Sequence, residues 1–154
     1  MNIVKAEYQV EEIQGFKVYK AQDVYDVLKE HFNPLQEEFY LLPVVAQEFC
    51  IERLFVGGLT ASSTDLKTIF HLLLTKYPNA ASFIIAHNHP SGDCDPSGAD
   101  KEITKQIKEA SELLGYSMLD HLIFSNCGYY SFHNEGEIIT ESCFLPLDHK
   151  KDRG

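Results

Sequence analysis

The sequence lacks a paired-cysteine motif. Four cysteines are spread over the 154 residues, none in a C-x-x-C arrangement: Cys50, Cys94, Cys127 and Cys143. Structural zinc sites rich in thiolates use closely spaced cysteine pairs, so this spacing argues against such a site. The opening stretch also lacks the uninterrupted apolar segment of a secretion signal, and the thiols are therefore expected to stay reduced.

Long apolar runs are missing as well. Nowhere does the chain approach the roughly 18 consecutive apolar residues of a membrane-spanning helix. Hydrophobic residues make up 44% of the sequence and charged residues 23%, which is ordinary for a folded globular domain. These features predict one soluble cytoplasmic domain with no membrane partner.

Basic residues are few. The chain has 13 Lys and Arg against 23 Asp and Glu, which gives a formal net charge of −10 at pH 7. Proteins that hold nucleic acid through its phosphates rely on positively charged contact surfaces. The charge balance therefore disfavours nucleic acid as a partner, although it leaves room for a local basic patch.

Strand-like and helix-like patterns alternate along the chain. Short apolar runs predict strands, and three-to-four spacing with cap residues predicts helices. The predicted elements are one or two strands within 8–20, a helix over 21–32, a hairpin over 38–45 and 49–56, a helix that begins near Ser63 and stops at Pro78, a strand over 82–86, a helix over 98–114, and strands over 119–124 and 129–132. This order predicts an α/β domain with a mixed sheet in two or three layers.

The stretch HNHPSGDCDPSGAD, residues 87–100, holds the clearest chemical signal. His87 and His89 would leave the same side of the strand before them, because side chains alternate along a strand. Ser97 is predicted to be the N-cap of the helix that follows. Asp100, in the first turn of that helix, would bring a carboxylate back toward the histidines. Two imidazoles and one carboxylate are a common ligand set for a catalytic divalent ion. Taken alone, the histidines would equally fit buried rings bonded to backbone carbonyls.

Hydrolysis at such an ion also needs a group that carries a proton to the leaving group. Glu37 and Glu38 begin a predicted strand and would face opposite ways, so only one can serve. A solvated strand-edge charge is the competing interpretation. Ser97 could donate to an oxyanion or act only as the helix cap. The pair Asp120 and His121 could orient a site ligand from behind or simply support the sheet.

A pattern of the form H-x-H-P-x6-S-x2-D resembles the JAMM (MPN-plus) metalloprotease motif. It is formed here by His87, His89, Pro90, Ser97 and Asp100. Within that superfamily, the string HNHPSGD…PS…D, followed by LLG…LDH and YYSF, is similar to the RadC-like proteins. The similarity covers most of the chain, from residue 37 to residue 132.

The resemblance implies a JAB/MPN fold of the cytidine-deaminase-like α/β type. It further implies Zn²⁺, or another divalent metal, bound by His87, His89 and Asp100 with water as the fourth ligand. The general base would be Glu37, and Ser97 would support the oxyanion. Characterised JAMM enzymes cleave peptide or isopeptide bonds, so a protein or peptide substrate is expected.

The resemblance also predicts how the domain is divided. Residues 35–134 would form the catalytic core, residues 1–34 a strand and helix extension of the same domain, and residues 135–154 a partly mobile C-terminal segment. Cys94 stands in the metal-site loop where relatives often have proline and threonine. It is interpreted either as a soft ligand near the ion or as a loop thiol without a role.

Other functions fit parts of the pattern. The RadC resemblance suggests a DNA repair or recombination-associated protein that binds or cuts nucleic acid. Longer RadC proteins carry an N-terminal helix-hairpin-helix region, and the 36 residues before Glu37 leave no room for one, which weakens a DNA role. A metal-bearing but inactive interaction module is a third hypothesis. The letters His-Asn-His are not an HNH nuclease motif, whose residues are dispersed, and the H-x-E and P-C-x-x-C elements of zinc deaminases are missing.

Overall fold

Strands and helices alternate along the described part of the chain in the order that the sequence pattern predicts. The computed structural model describes residues 13–56 and 63–138. The elements are β1 (Ile13–Lys17), α1 (Ala21–Leu28), β2 (Glu38–Val45), β3 (Glu48–Val56), α2 (Ser63–Lys76), β4 (Ser82–Asn88), α3 (Gly98–Leu114), β5 (Ser117–Ser125) and β6 (Gly128–Ser131).

The strands form one mixed sheet in the order β1-β3-β2-β4-β5-β6. Strands β4 and β5 are parallel, and the other neighbouring pairs are antiparallel. A parallel pair needs a long crossover, which α3 provides between β4 and β5. The mixed sheet and its helices confirm the predicted α/β class.

Different helices cover the two faces of the sheet. Alternate residues of the central strands face opposite ways: Tyr40 and Ile84 pack with α1, whereas Phe39 and Ile85 pack with α2 and α3. Every residue of β4 is buried, as expected for a strand with helices on both sides. The fold therefore has three layers, one of the two arrangements that the sequence allowed.

Helix α3 begins and ends where its cap residues predict. The Ser97 hydroxyl oxygen accepts a hydrogen bond from the Asp100 amide, and the Asp100 carboxylate accepts one from the Ser97 amide. At the other end Gly115 adopts a left-handed conformation with φ of 87°. This conformation favours glycine, and it turns the chain into β5.

Two boundaries near the N-terminus differ from the prediction. Helix α1 ends at Leu28 rather than at residue 32, because the next amides bond three residues back: Glu30 to Val27 and His31 to Leu28. Such a tightened turn closes the helix before Asn33, whose following proline disfavours helical backbone. The region around Gly15 forms one strand, β1, with a register shift between Ile13 and Phe16, and Gly15 has φ of 90° there.

Three of the cysteines lie in the described ranges and are free thiols: Cys50, Cys94 and Cys127. Cys143 lies outside the described residues, as do the two ends of the chain, residues 1–12 and 139–154. Among residues 13–56 and 63–138, no helix has both the length and the apolar character that crossing a membrane requires.

Candidate metal centre

The predicted ligand residues meet at the carboxyl end of strand β4. His87 is the penultimate residue of that strand, and His89 follows the strand directly. Asp100 lies in the first turn of α3. In α/β sheets, the carboxyl ends of parallel strands and the helix starts that follow them commonly form binding sites. Residue Phe39 pairs with His87, which brings the start of β2 to the same place.

Three side chains converge with nearly equal spacings. The Nε2 atoms of His87 and His89 are 3.2 Å apart. From the Asp100 carboxylate, Oδ1 lies 3.2 Å from His87 Nε2 and Oδ2 lies 3.3 Å from His89 Nε2. The His87 side chain is fully buried, whereas 19% of the His89 side chain is exposed, so the cluster is closed toward the sheet and open on the other side.

The loop after β4 sets the orientation of His89. Its Nδ1 lies 2.7 Å from the backbone oxygen of Asp93, an acceptor, so Nδ1 carries the proton and Nε2 faces the cluster. Gly92 makes the tight turn possible with φ of 92°. The hydrogen bond to Asp100 raises the pKa of His89, against the opposing effect of burial.

Asp100 remains ionised in this cluster. Burial alone would raise its pKa, but the hydrogen bonds from His87 and His89 hold the pKa well below its ordinary value. The Ser97 amide adds a further hydrogen bond to Oδ2 at 2.9 Å. The residue therefore offers a charged carboxylate to the two imidazoles.

Of the two candidate glutamates, Glu37 approaches the histidines. A carboxylate oxygen of Glu37 lies within 4.8 Å of ring nitrogens of His87 and His89, a spacing at which these three side chains could hold a metal ion. The neighbouring Glu38 is only 1% exposed and belongs to a different contact network. It accepts hydrogen bonds from the Tyr40 hydroxyl and from Gln36 Nε2, the latter at 3.0 Å.

Ser97 is an exposed helix cap. Its oxygen accepts the Asp100 amide at 3.0 Å, which leaves the hydroxyl proton available for donation. Cys94, the other loop residue considered from the sequence, points elsewhere. Its Sγ lies 3.3 Å from the Gly128 oxygen and 3.4 Å from Ser125 Oγ, at the turn between β5 and β6, and burial raises its pKa.

Asp120 and His121 make different contacts. The Asp120 carboxylate accepts hydrogen bonds from Ser131 Oγ at 2.5 Å and from the His133 amide at 2.8 Å, so it supports the sheet. Burial raises the pKa of Asp120 to about 7. His121 instead contacts His87 directly, with Nε2 3.0 Å from His87 Nδ1.

Asn88 has a position that the sequence analysis did not use. Its Oδ1 accepts the Glu38 amide at 2.7 Å, and its Nδ2 donates to the Gln36 oxygen at 2.9 Å. These two backbone groups flank Glu37. Strand alternation indicates that Asn88 points away from the histidines, but its partners depend on how β2 and β4 pair.

Two comparisons with known proteins, one with family models and one with curated proteins, each give matches that cover most of the chain. The family model described as RadC-like JAB domain matches residues 18–137. A UPF0758 protein of Flavobacterium johnsoniae is 38% identical over 123 residues, which are 78% of this chain and 53% of that protein. A UPF0758 protein of Thermotoga maritima is 39% identical over 112 residues, 67% of this chain and 50% of that protein.

A third relative matches a larger share of the chain. A UPF0758 protein of Streptococcus gordonii is 33% identical over 134 residues, 85% of this chain and 58% of that protein. The chain thus spans about half the length of the curated relatives it matches. With the family model covering most of the sheet and every residue of the cluster described above, the chain belongs to the RadC-like JAB domain family.

Proposed function

We propose that this domain is a metal-dependent hydrolase that binds one Zn²⁺ through His87, His89 and Asp100 and cleaves a peptide or isopeptide bond. The observation that carries the proposal is the convergence of three donor groups at 3.2 to 3.3 Å from one another. The JAB domain family is compatible with hydrolase chemistry. The substrate would be a protein or peptide.

The spacing of the cluster fits a tetrahedral ion. Ligand atoms that each lie about 2.0–2.1 Å from such an ion are about 3.3–3.4 Å apart, close to the spacings in the cluster. The chemistry of the donors also fits, since Asp100 is ionised and the Asp93 contact at Nδ1 leaves Nε2 of His89 as the nitrogen that would release its proton and bind an ion. Without a cation, lone pairs this close repel one another or must share protons.

The remaining groups fit the two halves of a hydrolysis. A divalent ion in this position would polarise the carbonyl of the scissile bond and lower the pKa of a water molecule. Glu37, beside the imidazoles, takes the proton of the attacking water as the new carbon–oxygen bond forms. It then delivers that proton to the leaving nitrogen as the carbon–nitrogen bond breaks.

Ser97 has a supporting part in this proposal. Its hydroxyl proton can be donated to the oxyanion that develops on the carbonyl while its oxygen still accepts the Asp100 amide. The cap therefore positions the hydroxyl rather than competing with it. In this proposal the two roles considered from the sequence are compatible.

Metal content of purified variants tests the proposal. Wild-type protein reconstituted with Zn²⁺ and then desalted is expected to retain one ion per chain, whereas a His87→Ala/His89→Ala double variant retains none. His71, exposed on α2, provides the matched control, and His71→Ala is expected to bind as the wild type does. Equal zinc content in the double variant and the wild type would contradict the proposal.

A further inference from the structure

We infer that His121 is a positioning residue that keeps a proton on Nδ1 of His87, so that Nε2, which faces Asp100 and His89, is the ring nitrogen left to bind an ion. The inference rests on the proposed function and deepens it, because it assigns a role to a residue outside the ligand set. His121 Nε2 lies 3.0 Å from His87 Nδ1, on the side of the ring opposite the cluster.

The positions of the protons follow from a chain of hydrogen bonds that begins on α3. The Thr104 hydroxyl lies 2.6 Å from the backbone oxygen of Asp100, which can only accept, so the hydroxyl proton is donated there. Thr104 Oγ1 also lies 2.5 Å from His121 Nδ1. Since its proton is already used, Oγ1 is the acceptor and His121 Nδ1 carries a proton.

The next hydrogen bond in this series joins His121 to His87. His121 is completely buried, and its two ring nitrogens contact a hydroxyl and an imidazole rather than a carboxylate, so one proton on the ring satisfies both contacts. That proton is on Nδ1, so Nε2 of His121 accepts, and the donor in the 3.0 Å contact is the Nδ1–H of His87. His87 therefore carries a proton on Nδ1, and Nε2, the atom that faces the other two ligand groups, is the ring nitrogen left to bind an ion.

The surroundings hold His121 in this orientation. Its ring stacks on Phe132, with centroids 4.9 Å apart and planes inclined by 7°. Parallel pairing of β4 and β5 places His121 beside Ile85, two residues before His87. Thr104 also donates to the backbone oxygen of Asp100. These hydrogen bonds therefore link the orientation of the His87 ring to the helix turn that carries Asp100.

Groups behind a metal ligand affect affinity because they fix the ligand's tautomer and raise its basicity, and their loss typically costs about 10- to 100-fold in metal affinity. His121→Phe keeps a ring that can stack on Phe132 but removes the acceptor for His87. In His121→Gln, the amide oxygen can accept from His87 and the amide nitrogen can donate to Thr104. The two variants therefore separate hydrogen bonding from packing.

The test has two measurements on the full chain. Long-range ¹H–¹⁵N NMR spectra of the metal-free wild type show which ring nitrogens of His87 carry a proton, and a proton on Nδ1 is expected. Competition with a chromophoric chelator then measures Zn²⁺ affinity, which is expected to fall about 10- to 100-fold in His121→Phe and to recover to within a few-fold of wild type in His121→Gln.

A matched pair on the helix extends the test. Thr104→Val removes the hydroxyl and is expected to weaken Zn²⁺ binding, whereas Thr104→Ser retains both hydrogen bonds and wild-type affinity. A His87 ring without a proton on Nδ1 in the metal-free protein would overturn the inference. Equal Zn²⁺ affinity of His121→Phe and the wild type would do the same. A wild type that binds no Zn²⁺ would instead contradict the proposed function, and the NMR measurement would still judge the hydrogen-bond assignment.

Discussion

The side-chain oxygen of Asn88 accepts the backbone N–H of Glu38 at 2.7 Å. The side-chain nitrogen of Asn88, Nδ2, donates to the backbone oxygen of Gln36 at 2.9 Å. One side chain therefore holds both peptide groups that flank Glu37. Asn88 itself lies between the two clustered histidines in the chain. The position of the candidate general base is thereby tied to the segment that carries the candidate ligands.

Loss of the Asn88 amide should lower stability without removing the metal. Asn88→Ala leaves the Glu38 N–H and the Gln36 oxygen without this partner, which costs about 1–3 kcal/mol for a buried group. Urea unfolding measures this change, and Zn²⁺ titration should still give one ion per chain. Asn126, exposed in the turn between β5 and β6, is the control, and Asn126→Ala should change stability by no more than about 0.5 kcal/mol. Equal stabilities of the two variants would contradict the assigned role.

The two adjacent glutamates should give opposite results. Glu37→Gln is expected to keep Zn²⁺ and stability, because the side chain is half-buried and not part of the Tyr40 network, but to lower hydrolysis of a peptide or isopeptide substrate about 10²- to 10⁴-fold. Glu38→Gln should instead lower the free energy of unfolding, because it weakens buried hydrogen bonds and the ion pair with Arg53. Retained turnover in Glu37→Gln would show that another group carries the proton.

The buried carboxyl of Asp120 should make stability depend on pH. Burial raises its pKa from 3.8 to about 7, so between these values the folded state binds more protons than the unfolded state. Below about pH 4 the raised pKa therefore does not lower the free energy of unfolding. The loss of stability grows as pH rises and is complete above about pH 7. Asp120→Asn removes the ionisation and keeps acceptor capacity.

Urea unfolding of both proteins across pH 4 to 8 measures this effect. The stability of the metal-free wild type, relative to Asp120→Asn, should fall by about 2 to 4 kcal/mol over that range, at about 1.4 kcal/mol for each pKa unit. Histidines titrate in both proteins, so their contribution cancels in the difference. Stability curves that stay parallel would show that burial does not raise the pKa of Asp120 in the folded protein.

Binding to nucleic acid should be weak for this chain. A formal net charge of −10 disfavours contacts with phosphates, so fluorescence anisotropy with labelled duplex and single-stranded DNA is expected to give dissociation constants no tighter than about 10⁻⁶ M at physiological salt. Tighter binding that weakens steeply as salt is raised would favour the alternative function in DNA repair or recombination.

Local sequence signals predicted the parts of the fold that local interactions determine. Ser97 and Gly115 marked both ends of α3 correctly because each cap acts within a few residues of its own position. The end of α1 was predicted too late, because the pattern does not reveal that the amides of Glu30 and His31 bond three residues back. The sequence indicated the α/β class, but the choice of three layers depends on which helix covers which face.

In the candidate site, too, local interactions were predictable from the sequence and contacts between distant elements were not. The H-x-H spacing and the capped helix predicted which residues would converge, since strand alternation and the N-cap act locally. The choice between Glu37 and Glu38 depends on Tyr40 and Arg53, which reach Glu38 only after β2 pairs with β3. The contact of His121 with His87 depends on the parallel register of β4 and β5, including its shift between Phe83 and Ile84.

X-ray absorption at the zinc edge, on wild-type protein loaded with one equivalent of Zn²⁺, would show whether the two histidines bind the ion. We expect about four nitrogen or oxygen neighbours at about 2.0–2.1 Å, with outer-shell scattering from two imidazoles and no sulfur at about 2.3 Å. The imidazole scattering should disappear in the His87→Ala/His89→Ala variant. Spectra that lack imidazole scattering in the wild type, or that are the same in both proteins, would contradict metal binding by His87 and His89.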